Sequence, residues 1–235
     1  MGITAIVAAY NEQKTIGDVL RALKGSPLID EVIVVSDGST DETVAISRTF
    51  DVRTIALREN RGKGFAMRVG VDYASNDLLF FVDGDMRNVT ERTIESLVLP
   101  VLRDECDMNI GVRHRGQTLD FLHLKMQCGP VLSGIRAMKR EVFERVPPQY
   151  QERFKIEAAL NCFCSRAGYR QQHTIIYDLL HVTKESKRGW NEGLRSRWEM
   201  SREVFLLLFD LYVFETWKWT PQEDLPVAEV EVFED

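Results

Sequence analysis

Residues 31–41, EVIVVSDGSTD, join an unbroken apolar run to a polar segment. The same pattern occurs at residues 3–12, ITAIVAAYNE, and at residues 78–85, LLFFVDGD. Continuous β-branched and aromatic runs are typical of strands that are covered on both faces. Ligands of open α/β sheets bind beyond the carboxyl ends of the strands, so these polar segments are the candidate functional residues.

Helical segments separate the apolar runs and predict the α/β class. In the first half we expect helices over 15–24, 41–50 and 64–74, and one more strand over 52–57. In the second half we expect helices over 90–103, 154–167 and 189–214, and strands over 107–112, 131–138 and 172–177. The expected architecture is a mostly parallel central sheet flanked by helices, with a C-terminal helical segment.

Composition and charge favour one soluble domain. The chain has 235 residues, of which 44% are hydrophobic and 28% are charged, enough to bury a sizeable core. We expect a domain over residues 1–220, with halves of about 1–110 and 111–220, and an acidic tail over 221–235. That tail accounts for the net charge of −6. Since acids and bases balance elsewhere, we expect no nucleic-acid partner.

Cysteine spacing and hydropathy indicate the cellular compartment and the relation to membranes. The cysteines show neither the pairing nor the nearby histidines of a zinc site, so we expect buried thiols at Cys106, Cys128, Cys162 and Cys164. The most apolar segment, residues 204–214, contains Asp210 and is shorter than the ~20 residues of a spanning helix. We therefore expect a cytoplasmic protein that is not integral to a membrane, with peripheral membrane contact as an alternative.

Three polar segments have both a functional and a structural interpretation. Asp83 and Asp85 end an apolar strand and suit Mg²⁺ or Mn²⁺, but an Asp-Gly pair also forms plain turns. Asp37 could accept a hydrogen bond from a nucleotide base, whereas a capping box formed by its neighbours Ser39 and Glu42 would be structural. Residues 60–64, NRGKG, suit a diphosphate at a helix N-terminus, or form a flexible connection.

These motifs together resemble those of family 2 glycosyltransferases with the GT-A fold, including the dolichol-phosphate mannosyltransferase and glucosyl-3-phosphoglycerate synthase relatives. The resemblance rests on AAYNE at 8–12, VSDGSTD at 35–41, NRGKG at 60–64 and DGD at 83–85, and it covers roughly residues 3–185. It implies a nucleotide-diphospho-sugar donor (a UDP- or GDP-sugar), a divalent metal, and donor-binding and acceptor-side halves. One departure is Ser36, where many relatives have a second aspartate.

The resemblance also implies roles for individual residues. Base and ribose contacts fall to Ala8, Tyr10, Glu12 and Asp37, Lys63 would lie near the base or diphosphate, and Asp83 and Asp85 would hold ribose and metal. Gly134 belongs to a strand that lines the sugar pocket. Glu157 would act as a general base on an acceptor hydroxyl, or it is a solvated helix residue. His181 would complete the metal site, or it is structural.

The expected acceptor is a small molecule or a polyprenyl phosphate. Apolar residues 204–214 surround the helix axis, and Trp217 and Trp219 follow. This pattern favours a homodimer or core packing over peripheral membrane attachment. Two other functions are considered: a sugar-phosphate nucleotidyltransferase, which would need a glycine-rich loop where this chain has residues 9–12, and a catalytically silent nucleotide-sugar-binding protein.

Overall fold

The computed structural model describes residues 2–113, 133–150, 155–177, 180–181 and 230–233. Strands in the first half are β1 (Ile3–Ala9), β2 (Glu31–Ser36), β3 (Arg53–Leu57), β4 (Leu78–Asp83), β5 (Met86–Arg87) and β6 (Met108–Arg113). Those in the second half are β7 (Ile135–Lys139), β8 (Gln171–Ile176), β9 (Leu180–His181) and β10 (Val230–Phe233). The helices are α1 (Ile16–Gly25), α2 (Thr43–Arg48), α3 (Lys63–Tyr73), α4 (Glu91–Leu102), α5 (Arg140–Glu144) and α6 (Lys155–Arg166).

Eight of these strands form one sheet in the order β10-β3-β2-β1-β4-β7-β6-β8. β3, β2, β1 and β4 are parallel to one another, and β6 is parallel to β8. β7 runs antiparallel between β4 and β6. The expected α/β class with a mostly parallel sheet is therefore confirmed.

Helices cover both faces of the sheet, which explains the unbroken apolar runs. In β4, Leu78, Phe80 and Val82 pack in one core with residues of α1 and α4. Leu79 and Phe81 point the other way, into a core that includes residues of α3, α5 and α6. Because successive strand side chains point to opposite faces, a strand covered on both sides has no polar alternation.

The first turn of α2 differs from the sequence prediction. The helix begins at Thr43 rather than at residue 41, and the capping box of Ser39 and Glu42 is wrong. The Asp41 carboxylate accepts the Thr43 backbone N–H at 3.0 Å, whereas the Ser39 hydroxyl accepts from the backbone N–H of Asn11 at 3.1 Å. Ser39 therefore ties the segment after β2 to the end of β1 and caps no helix.

Further predictions concern the C-terminal segment, the cysteines and the membrane. Val230–Phe233, within the segment interpreted as an acidic tail, pairs antiparallel with β3 at the sheet edge. Cys106, Cys162 and Cys164 are buried thiols, as expected, and burial raises the pKa of Cys106 to about 11. Cys128 and the helix expected over 189–214 lie outside the described residues. Among the described helices, none has the length and apolarity needed to cross a membrane.

Candidate active site

The carboxyl ends of three parallel strands meet at one edge of the sheet. Ala8 of β1 lies opposite Asp83 of β4 in the strand register, and the backbone N–H of Asp37 donates to the Ala9 carbonyl at 2.8 Å. Asp37 and Asp83 thus flank the end of β1, where Tyr10 follows. The polar segments that follow β1, β2 and β4 therefore meet at this edge.

Asp37 organises the loop that leads into α3. Its Oδ1 accepts the backbone N–H of Arg61 at 2.7 Å, and its Oδ2 accepts that of Gly62 at 2.8 Å. The Asn60 amide also donates to the Asp37 carbonyl at 3.2 Å. Asp37 is only 4% exposed, and burial raises its carboxyl pKa although the two N–H groups oppose the change. The structure therefore gives Asp37 a structural task that the sequence did not reveal, and its contact with a base stays a prediction.

Two glycines permit this loop conformation. Gly38 has φ +69°, and a Cβ there would overlap the backbone of Glu59 and Asn60. Gly62, the residue before α3, has φ +94°. Positive φ values cost non-glycine residues energy, and a side chain at Gly38 would also overlap the loop, so glycine at these positions favours the approach of the 59–62 loop to Asp37.

Lys63, the first residue of α3, contacts both β4 and α6. Its ammonium lies 2.6 Å from Oδ1 of Asp83 and also forms a short ion pair with Oε1 of Glu157 on α6. The side chains of Lys63 and Glu157 are 16% and 9% exposed, respectively. Glu157 is thus a buried cleft residue, and its interpretation as a solvated helix glutamate is wrong.

The charge balance of this cluster explains its pKa shifts. Burial alone would lower the pKa of Lys63, but Asp83 and Glu157 raise it above its usual range. Burial raises the pKa of Asp83, and Glu157 and Asp85 raise it further, whereas Lys63 opposes them. Both shifts follow because one ammonium is shared by neighbouring carboxylates away from water. Lys63 is therefore held between Asp83 and Glu157 by charge as well as by hydrogen bonds.

Arg136 is a further buried charge that sequence reasoning missed. It is 1% exposed, and its guanidinium donates to Oδ1 of Asn161 at 3.2 Å and to the Ser133 carbonyl at 2.9 Å. It lines the same small cavity as Lys63 and Glu157. A charged residue inside an apolar strand covered on both faces was the available signal, since buried arginines need specific partners.

Gly134 makes room for the Asp83 carboxylate. A Cβ at Gly134 would overlap both the carboxylate carbon and an oxygen of Asp83, and the Gly134 carbonyl accepts the Asp83 backbone N–H at 2.9 Å. The structure thus brings Gly134 next to the D-x-D motif. Its contact with a sugar stays a prediction.

The small second sheet of β5 and β9 brings the backbone of His181 near the residue that follows Asp85. Asp85 is half-buried, and the next residue, Met86, pairs with His181 in the register of β5 with β9. Among the side chains that the structure describes, no group of three or more His, Cys, Asp or Glu forms a metal cluster. The hard carboxylates of Asp83 and Asp85 fit Mg²⁺ or Mn²⁺, and the role of His181 as a further ligand stays a prediction.

The remaining candidates lie along the same edge. Ala8 lines the Lys63 cavity, and Tyr10 is half-buried. Glu12 is also half-buried, and its Oε2 accepts the Thr15 hydroxyl at 3.2 Å. Their contacts with base and ribose stay predictions.

A sheet of this order with a D-x-D motif after β4 defines the GT-A class of glycosyltransferases. The model of glycosyl transferase family 2 matches residues 4–175, and the chain belongs to that family. The expected family and fold are therefore confirmed.

Known proteins similar to this chain include two bacterial transferases. Dodecaprenyl-phosphate galacturonate synthase of Rhizobium johnstonii is 31% identical over 143 residues, which are 56% of this chain and 42% of that protein. A 4,4'-diaponeurosporenoate glycosyltransferase of Staphylococcus aureus is 32% identical over 101 residues, 41% of this chain and 27% of that protein. The chain spans less than half the length of these relatives.

The fold is also similar to glucosyl-3-phosphoglycerate synthase of Mycobacterium tuberculosis. Its complex with phosphoglyceric acid has a TM-score of 0.72 and 25% identity, covering 89% of this chain and 79% of that one. A second crystal structure holds Mn²⁺, UDP-glucose and glycerol 3-phosphate, with the same TM-score, identity and coverage.

Proposed function

We propose that this chain is a metal-dependent transferase that moves a sugar from a nucleotide-diphospho-sugar donor to a hydroxyl or phosphate acceptor. The observation that carries the proposal is the meeting of Asp83, Lys63 and Glu157 at the carboxyl edge of the sheet. The family match and the UDP-glucose and Mn²⁺ in a similar structure support it.

Each residue has a proposed role in this reaction. Asp83 and Asp85, together with His181, would hold ribose and Mg²⁺ or Mn²⁺, which when bound neutralises charge on the departing diphosphate. Donor base and ribose contacts are assigned to Ala8, Tyr10, Glu12 and Asp37, and sugar contact to Gly134. The structure supports a second task for Asp37, which holds the loop that precedes Lys63.

Glu157 is the proposed group on the acceptor side. It is 7% exposed and reaches Lys63 from α6, so its carboxylate is fixed in the cleft. With a hydroxyl acceptor, it would accept the proton as the oxygen attacks the anomeric carbon. With a phosphate acceptor, which is already a nucleophile, Glu157 would position rather than deprotonate it.

A phosphate-bearing acceptor has the better support. One relative is named for dodecaprenyl phosphate and a similar structure holds phosphoglyceric acid. A polyprenyl phosphate would imply peripheral membrane contact. The homodimer and membrane predictions rest on residues 204–219, outside the described part of the chain, and vesicle co-sedimentation together with light scattering tests them.

A donor screen tests the proposed function. Thermal unfolding with Mn²⁺ and a panel of UDP- and GDP-sugars should show a higher Tm with one donor, because a ligand that binds the native state stabilises it. Radiolabelled sugar should then appear on phosphoglycerate or polyprenyl phosphate. Donor binding with neither transfer nor hydrolysis would favour the silent binding protein, and nucleotide-sugar formation from a nucleoside triphosphate would favour the nucleotidyltransferase.

A further inference from the structure

Lys63 occupies a position where its charge opposes a metal ion. Its ammonium bonds Asp83, a proposed metal ligand, at 2.6 Å and also contacts Glu157. The negative charges of Glu157 and Asp85 also lie close enough to raise the pKa of Asp83. A cation that approached Asp83 in the ligand-free protein would meet the Lys63 ammonium at close range, in a buried site where such repulsion is weakly screened.

The loop before α3 fixes Lys63 in this position. The two hydrogen bonds from Arg61 and Gly62 to Asp37 hold the backbone directly before it. Lys63 is also the first residue of α3. Its backbone is therefore held by the helix, and its side chain alone can change partners. The side chain could therefore leave Asp83 without a rearrangement of the backbone.

We propose that Lys63 is an internal counter-ion that makes metal binding depend on nucleotide. In the ligand-free protein its single positive charge offsets part of the negative charge of Asp83 and Glu157 and disfavours a divalent cation at Asp83. A nucleoside diphosphate brings anionic oxygens that supply metal ligands and a second partner for the ammonium, so the two ligands bind together. The part of this inference that concerns the nucleotide rests on the proposed function. The effect of Lys63 on metal binding without nucleotide is independent of it.

Direct Mn²⁺ binding tests the proposal without measuring activity. Free Mn²⁺ is followed by electron paramagnetic resonance as MnCl₂ is titrated into the full chain, alone and with UDP or GDP. For the unsubstituted protein, nucleotide should tighten Mn²⁺ binding about tenfold or more, a usual size for coupling between two ligands. Lys63→Met should tighten Mn²⁺ binding without nucleotide by about tenfold, because the carboxylates then lack this cation.

Two variants serve as matched controls. Lys63→Arg keeps the charge and should bind Mn²⁺ alone as weakly as the unsubstituted protein. Lys139 bridges Asp104 and Asp107 at 2.7 Å each, away from the site. Lys139→Met should leave Mn²⁺ binding unchanged, because Arg170 also pairs with both of these aspartates.

Two results would overturn the proposal. One is tight Mn²⁺ binding by the unsubstituted protein without nucleotide, and the other is Lys63→Met binding Mn²⁺ no more tightly than Lys63→Arg. Lys63→Gln replaces Lys63→Met if circular dichroism shows that the latter does not fold. If no nucleotide binds any variant, the proposed function fails, whereas the comparison of the Met and Arg variants still decides the role of Lys63.

Discussion

Replacing Asp37 tests whether a buried carboxylate holds the donor-side loop. In Asp37→Ala, the backbone N–H groups of Arg61 and Gly62 lose the oxygens that they contact at 2.7 and 2.8 Å. In Asp37→Asn, one oxygen remains, but an NH₂ group faces the other N–H. Asp18→Asn is the control, because that side chain is 70% exposed and pairs with Arg21 on the helix surface.

The expected loss follows from two charge-assisted hydrogen bonds. Hydrogen bonds to charged groups contribute about 1.5–3 kcal/mol each. Burial offsets part of this gain, as the raised pKa of Asp37 indicates. We therefore expect the free energy of unfolding to fall by about 2–4 kcal/mol for Asp37→Ala and by about 1–3 kcal/mol for Asp37→Asn. The exposed control should change it by less than about 0.5 kcal/mol.

Urea denaturation of the ligand-free protein, followed by circular dichroism, measures these differences. In thermal unfolding, the Tm of Asp37→Ala should fall by about 5–15 °C, given roughly 2–4 °C per kcal/mol for a domain of this size. Nucleoside diphosphate binding, measured by calorimetry, should weaken together with stability and to a similar extent for uridine and guanosine nucleotides. A displaced loop affects every nucleotide, whereas a lost base contact affects one.

A different outcome would refute the loop-anchor argument. One such outcome is an Asp37→Asn variant that keeps the free energy of unfolding of the unsubstituted protein but prefers a different nucleotide. Asp37 would then contact the base, and other groups would hold the loop. If both stability and affinity are unchanged, the two short contacts to Arg61 and Gly62 contribute nothing measurable.

Three further predictions concern the metal site, its lining and a distant ion-pair network. Asp85→Asn should abolish metal-dependent turnover with a native circular-dichroism spectrum, since a neutral amide is a poor ligand for a hard cation; full activity with a chelator would contradict this. Gly134→Ala should weaken nucleoside diphosphate binding by calorimetry at least about tenfold, because its Cβ displaces the Asp83 carboxylate; unchanged affinity would show that the strand shifts at no cost. Hydrogen bonds from Arg170 keep the pKa of Asp107 well below its usual value, although burial opposes them, so its stabilisation is present above about pH 4 and is lost as the pH falls further. Asp107→Asn should lower the free energy of unfolding at pH 7 by about 1–2 kcal/mol and reduce its loss between pH 5 and 3 in urea titrations; an unchanged acid profile would contradict the assignment.

Strand positions were predictable because burial on both faces leaves a pattern in the sequence itself. Residues 31–36 contain four consecutive β-branched residues, and β2 has those same bounds. The convergence of Asp37 and Asp83 followed from the rule that parallel strands end at one edge. The predicted start of α2 was wrong because Asp41, rather than Ser39, accepts the hydrogen bond from the backbone N–H of Thr43. The sequence could not distinguish them, since both residue types cap helices equally well.

Contacts between distant residues left no such pattern. Lys63 and Glu157 are 94 positions apart, and hydrophobic periodicity says nothing about which charged side chains meet. Asp37 was expected to face a ligand because it stands at a strand tip, but its two oxygens already contact the chain's own backbone. The residue types at the site therefore predicted the kind of chemistry, whereas the partner of each side chain could be identified only from the structure.

The same contacts connect recognition of the nucleotide with that of the metal. Asp37 holds the backbone of Arg61 and Gly62, the next residue is Lys63, and its ammonium contacts Asp83 and Glu157. A change at the tip of β2 therefore reaches the carboxylates of β4 and α6 through one loop and one side chain. Energetic coupling needs an element whose arrangement both ligands bias, and our proposal assigns that part to the Lys63 side chain, which the 59–62 loop holds beside Asp83 and Glu157.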